Sequence, residues 1–237
     1  MSRNKKLMII MVVVLSVGTI ATVVGLTSAY WIGASGDSEV APQVETTDWN
    51  YWIKYFIYEE YFDEEGNEDG YRIVGFSGAV YEDVIIPRRV FGTVKIRKVV
   101  DGVTQIEEET ISEADNAFVT VLGNSTFADT TAKTIPVTIT LPTTVRVETG
   151  TFMGMSNLTT VKIVQSKKGD GSYIKNIELG GQLAFAGCNI TKIVVVGQVQ
   201  IDNQYAFSLD DGSLNTAKFD DIKKYLGVSS SAVIEVK

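Results

Sequence analysis

The sequence predicts a mainly β solenoid of short parallel strands, and three observations predict it. A phenylalanine recurs in one local setting, a short alternating apolar run follows each occurrence, and the intervals suit a stacked coil. The segments Asn124-Ser-Thr-Phe127, Thr149-Gly-Thr-Phe152, Gln182-Leu-Ala-Phe185 and Gln204-Tyr-Ala-Phe207 each set the ring after a small residue. Their phenylalanines lie 25, 33 and 22 residues apart. The runs behind them are Ile135-Val137-Ile139, Val161-Ile163, Ile193-Val195 and Ala217-Phe219.

In such an array each coil supplies one strand that pairs in parallel with the strand of the coil before. Alternate residues then point into a continuous core, so Val161, Ile163, Ile193 and Val195 form one wall. Phe127, Phe152, Phe185 and Phe207 fill the core from the opposite wall, because no coil can bury such groups alone. The longest interval contains Gln165 to Gly171 (QSKKGDG), a polar insertion that should bulge from one loop without disturbing the stack.

A solenoid has open ends, and the flanking segments suit their closure. From Trp49 the run WNYWIKYFIYEEYF is dense in aromatic and β-branched residues, and Tyr71 to Phe76 repeats that character after the acidic connector Asp63 to Gly70. Two β-prone runs around such a loop predict a hairpin over 49–76, the N-terminal cap. Alternation along it puts Tyr51, Ile53, Tyr55 and Ile57 on one side and Trp52, Lys54, Phe56 and Tyr58 on the other. These aromatics exceed what one strand face buries, so Trp49, Trp52, Phe56 and Tyr58 are the candidate exposed binding patch. The competing expectation is that the first coil and a neighbouring segment cover both faces. Residues 220–237 form the C-terminal cap, with Ile222, Tyr225 and Leu226 on one face of a short helix and an apolar alternation from Ala232 to Val236.

Ahead of the body, Arg3, Lys5 and Lys6 precede an uncharged apolar run from Leu7 to Leu26 and the small residues Thr27-Ser28-Ala29. That layout is an export signal over 1–29. The run also approaches the roughly 20 residues that cross a bilayer as a helix, so one hydrophobic N-terminal helix either is cut after Ala29 or anchors the chain through residues 7–26. In both cases the rest faces outside the cell. Residues 30–47 are small, polar and aperiodic, a flexible spacer. The remaining residues, 48–237, make one domain.

Charge and composition narrow the function. Without Arg3, Lys5 and Lys6 the 21 basic side chains fall to 18 against 29 acidic ones, a formal charge of −11 for the exported part. Such a surface repels nucleic acid and anionic lipid. There is no histidine, so the usual general base and the commonest transition-metal ligand are both missing. Cys188 is the single cysteine, which leaves no internal disulfide and no conventionally activated thiol. The acidic connector offers oxygen ligands, but not at the spacing of an established calcium loop. No catalytic residue, metal or cofactor is expected.

The segments Val137 to Val164 (VTITLPTTVRVETGTFMGMSNLTTVKIV) and Leu179 to Val196 (LGGQLAFAGCNITKIVVV) resemble the BspA-type bacterial leucine-rich repeats. The match is closest at Ala184-Phe185-Ala186-Gly187-Cys188, and Asp83 to Gly92 is similar to the coil that opens many such arrays. Met155 stands where the repeat usually has cysteine, and residues 98–118 fit the pattern poorly. The resemblance implies a leucine-rich-repeat protein of the cell surface, bound to a protein or glycan partner outside the cell and acting in adhesion without catalysis. Two other readings remain, a self-assembling surface or matrix component and a hydrolase hidden in 77–120.

Overall fold

The structure is a computed structural model that describes residues 49–66, 68–77, 83–115, 117–124, 126–127, 137–167, 171–180, 183–209 and 212–237. The expected export segment and spacer lie outside these residues, as does Ile135. The described chain is mainly β, built from mixed and parallel sheets, none of which closes into a barrel.

A 3-10 helix over Trp49–Tyr55 leads into β1 (Phe56–Phe62) and β2 (Glu68–Phe76), followed by β3 (Asp83–Ile85), β4 (Gly92–Val100) and β5 (Val103–Ile111). Then come β6 (Val119–Leu122), β7 (Thr138–Pro142), β8 (Arg146–Val147), β9 (Thr160–Val164), β10 (Ser166–Lys167) and β11 (Tyr173–Ile174). The chain continues through β12 (Asn176–Ile177), β13 (Lys192–Val196), β14 (Gln200–Ile201) and β15 (Tyr205–Ala206). It ends with a 3-10 turn at Thr216–Lys218, the helix α1 (Phe219–Leu226) and β16 (Val233–Val236).

One wall is a five-stranded, wholly parallel sheet ordered β16-β13-β9-β7-β3. Its register keeps each row of side chains aligned: Val84, Ile139, Val161, Ile193 and Ile234 stand side by side. Leu141, Ile163, Val195 and Val236 make a second row two residues on. Between the rows, Lys162 and Glu235 face outward, and Glu235 accepts an ion pair from Lys192 at 2.8 Å. Val161, Ile163, Ile193 and Val195 are buried, which follows from the two-residue period of a strand with one wet face.

The facing wall is a six-stranded mixed sheet ordered β5-β4-β1-β2-β6-β8. Phe127, Phe152, Phe185 and Phe207 are all buried in the core both walls share. Three of these rings stack in sequence, Phe127 on Phe152 at 6.2 Å between centroids and Phe152 on Phe185 at 5.1 Å. The column reaches beyond these segments. Phe76 of β2 lies 5.8 Å from Phe127, and Phe56 of β1 lies 5.0 Å from Phe76.

The resembling turns have a common structure. Met155 N–H donates to Phe152 O at 3.1 Å and Cys188 N–H to Phe185 O at 3.0 Å, so Met155 and Cys188 occupy the same place after their rings. The Cys188 thiol then donates to Phe152 O of the other turn, at 2.9 Å. Burial pushes its pKa up from 9.0 to about 11, partly offset by a backbone hydrogen bond from Met155.

Several expectations need correction. The hairpin over 49–76 begins only at Phe56, since Trp49–Tyr55 is a 3-10 helix rather than a strand. There Tyr51 and Trp52 meet edge to face at 5.4 Å, and Trp52 and Ile53 turn into the core. Val137 is exposed just before β7, and the inward pair of that coil is Ile139 and Leu141. Ala217-Phe219 is no strand. Asp220 and Asp221 favour a helix start there, and Ile222 and Leu226, four apart, bury one face of α1. The strand that completes the parallel sheet is β16 instead. The carbonyls of Tyr225 and Leu226, left unpaired by the helix end, accept from Leu183 N–H (2.7 Å) and Phe185 N–H (3.1 Å), so α1 is fastened over the turn that carries Phe185. Residues 98–118, which fit no coil, contain most of the β4–β5 hairpin and are an insertion between β3 and β6.

Phe152 is fully buried with a ring on each side, so Phe152→Ala should cost about 3–5 kcal/mol in urea unfolding, more than a surface substitution such as Thr110→Ala at about 0.5 or less. The raised thiol predicts that native Cys188 carries roughly 100-fold less thiolate at pH 8 than the unfolded chain and alkylates correspondingly slowly with iodoacetamide. Because the neutral thiol is the form the fold favours, its contribution is fully present below pH 9 and is lost as pH rises toward about 11.

Candidate functional site

The exposed face of the six-stranded sheet carries a row of alternating charges. Residues on β1 alternate, so with Phe56 and Tyr58 buried Glu59 faces away from the core. Its Oε2 accepts from Arg97 Nη2 (2.6 Å) and Nε (3.0 Å), and its Oε1 from Arg72 Nη1 (3.2 Å). Arg72 Nη2 continues to Glu148 Oε2 at 2.5 Å, and that oxygen also accepts Asn124 N–H at 3.0 Å. The two-pronged Arg97 contact fixes orientation as well as charge. All four side chains are about a quarter to a third exposed, so solvent screens each pair and the row positions side chains more than it stabilises the fold.

Glycine at 123 makes this row possible. A Cβ there would lie 2.7 Å from Ile73 O and 3.0 Å from Arg72 Nε, and the Gly123 N–H donates to Ile73 O at 2.9 Å. Any side chain would clash with the Ile73 carbonyl and crowd the Arg72 guanidinium.

Beside Glu148 the row opens into a cleft of about 410 Å³ lined by Arg146, Glu148, Thr149, Glu178, Asp202 and Asn203 among others. Most of its polar groups are engaged. Arg146 Nη2 donates to Tyr61 OH at 2.6 Å and stands over that ring, and Thr149 Oγ1 donates to Gly180 O at 2.6 Å. Asp202 Oδ1 accepts Leu179 N–H and its Oδ2 accepts the Tyr225 hydroxyl, both at 2.8 Å. Desolvation first, then the Asp202 carboxylate, raises the Tyr225 pKa to about 12. Asp202 and Asn203 are left-handed (φ 47° and 56°) as the centre of a tight turn between β14 and β15, closed by Gln204 N–H on Ile201 O. Their strained backbone serves the turn.

What the cleft offers a ligand is therefore a shallow polar rim in which the Glu178 carboxylate has no partner among the described residues, next to an anchored guanidinium. Such a rim suits hydrogen bonding to hydroxyls or peptide groups. Among the described residues no three carboxylate or thiol groups are arranged to hold a metal ion.

The patch expected from the aromatic run is corrected. Trp52 is 2% exposed, and Phe56 and Tyr58 are fully buried. Tyr58 buries its phenol by donating to Ile53 O at 2.8 Å, and the loss of water raises its pKa well above the ordinary value. Only Trp49 keeps part of its surface, with the Arg88 guanidinium 5.2 Å over its ring. The aromatics form no exposed stripe because Trp49 and Trp52 lie in the 3-10 helix, which breaks the two-residue alternation, while Phe56 and Tyr58 keep it on the inward side of β1. Sequence reasoning missed the charged row altogether. Arg72 lies 13 residues from Glu59 and 76 from Glu148, and no local pattern links such partners.

No protein-family model, curated protein or solved structure matches this chain.

Asp202→Ala should cost about 1–3 kcal/mol by stranding Leu179 N–H, and the Tyr225 phenol should titrate below about 12 in ultraviolet difference spectra. An unchanged phenol midpoint would mean that burial alone sets it.

Proposed function

We propose that this chain is an exported leucine-rich-repeat protein, displayed on the cell surface or secreted, whose solenoid body is a binding or adhesion module without catalysis. The observation that carries this reading is the unbroken parallel register through Val84, Ile139, Val161, Ile193 and Ile234, one strand to each coil. The column from Phe127 to Phe185 and the Ala184-Phe185-Ala186-Gly187-Cys188 turn support it, as each recurs once per coil in the repeats the sequence resembles. Repeats stacked in this way make an extended lateral surface, and the charged row from Arg97 to Glu148 is a preorganised one. The partner is a protein or glycan outside the cell, with nucleic acid disfavoured by the acidic charge.

The outer edge of β16, where Val233 is about half exposed, favours a second reading as a self-assembling surface or matrix component.

Fractionation of expressing cells with intact-mass analysis tests both. A species beginning at Tyr30 in the medium fits a secreted module, and a full-length species in the membrane fraction fits a tethered one. Filaments in electron micrographs of purified protein would favour self-assembly. Full-length protein confined to the cytosolic fraction would overturn the exported reading.

A further inference from the structure

β5 is the outermost strand of the six-stranded sheet, and no described strand pairs with its outer side. The turn that precedes it fixes which of its backbone groups face outward. Asp101 (φ 52°) and Gly102 (φ 79°) are both left-handed, the geometry of a type I′ turn, which closes on Val100 and Val103 as a hydrogen-bonded pair. From that pair the register with β4 runs without a slip to Gly92 and Ile111. Bonding to β4 therefore falls on Val103, Gln105, Glu107 and Glu109, and the N–H and C=O groups of Thr104, Ile106, Glu108 and Thr110 point away from the sheet.

An open row of this kind takes up another strand unless something guards it. Here the guards are all acidic: Glu107, Glu108 and Glu109 follow one another. Glu109 is paired with Lys98. Glu107 stands opposite Ile96, and Glu108 opposite Lys95, whose ammonium is turned to Ser77 Oγ at 3.3 Å. The hairpin is apolar toward its tip, where Val103 and Ile106 of β5 are 58% and 55% exposed and Val99 of β4 is 70% exposed. Glutamates repel a second copy of this acidic chain but attract a basic strand, so they make the edge selective without closing it.

We propose that the outer edge of β5 captures an extended segment of a partner protein, which adds as a further strand with basic side chains opposite Glu107 and Glu108 and an apolar one opposite Ile106. The added strand satisfies the outward backbone groups from Thr104 to Thr110 and covers apolar surface that the fold leaves wet. This rests on the binding-module reading and gives that module a site and a class of partner.

The probe is a blocked, fluorescent nonapeptide of threonine and valine with two adjacent lysines at its centre, titrated by anisotropy against the full chain. A matching peptide with two glutamates serves as comparison. The lysine peptide should bind and the glutamate peptide should not. Glu107→Lys with Glu108→Lys should weaken binding by at least about tenfold, and so should Ile106→Pro, which removes one outward N–H while sparing the bonds to β4. Bound peptide should slow amide exchange at Thr104, Ile106, Glu108 and Thr110. The charge-reversal pair, confined to exposed side chains, keeps the test open if Ile106→Pro disturbs the hairpin.

Binding with no protection of those four amides would be simple charge attraction and would overturn strand addition. Protection that appears without peptide, rises with protein concentration and accompanies a doubled mass would assign the edge to a second copy and overturn the proposal equally. If the peptide fails while the charge-reversed protein still adheres to whole cells as the unaltered one does, the edge is wrong and the binding reading stands. Absence of adhesion in the unaltered protein would count against the binding reading itself.

Discussion

The described structure depends on a column of phenylalanine rings brought together from distant parts of the chain. Phe152 lies between Phe127 and Phe185, 25 and 33 residues away in sequence. Burying a phenylalanine is worth about 1.5–3 kcal/mol, while each ordered residue costs about 1–2 kcal/mol of backbone entropy. A stretch of more than twenty residues that contributes one such ring therefore gains too little alone and is held by what it packs against. The aligned rows of the parallel sheet follow from the same constraint, because a slip of one residue would turn Val161 and Ile163 to water and Lys162 to the core.

That dependence explains which parts were legible in the sequence. Phe127, Phe152, Phe185 and Phe207 announced the core because burial demanded the same residue at each repeat. Val161, Ile163, Ile193 and Val195 did so through the two-residue period of a strand. The two ends were harder to read. Trp49 to Tyr55 has the composition of a strand, yet tight packing of Tyr51, Trp52 and Tyr55 against one another and the core is reached as a 3-10 helix. Ala217-Phe219 came at the right interval for a strand, but the acidic pair after it and the four-residue spacing of Ile222 and Leu226 decided for a helix. The charged row was illegible because an ion pair leaves no periodicity, and Glu59, Arg72, Arg97 and Glu148 meet only when the sheet has formed.

The two surfaces left by this construction differ in character. The row from Arg97 to Glu148 is a set of charges that already hold one another. The outer edge of β5 is the reverse, a set of backbone groups with no partner among the described residues and side chains that are largely exposed. A chain with both can combine shape-specific contact on one side with sequence-tolerant contact on the other.

The position of α1 has a consequence for how the protein would respond to a cut. Its final carbonyls take the N–H groups of Leu183 and Phe185, and its buried Ile222 and Leu226 pack into the same core as Phe185. A nick in the chain between Phe207 and Phe219 would leave the helix held to that core by packing and these two hydrogen bonds alone. Were it to peel away, the amides of Leu183 and Phe185 would be bared at a place far along the chain from the break, so damage in one exposed connector would be felt at a remote ring.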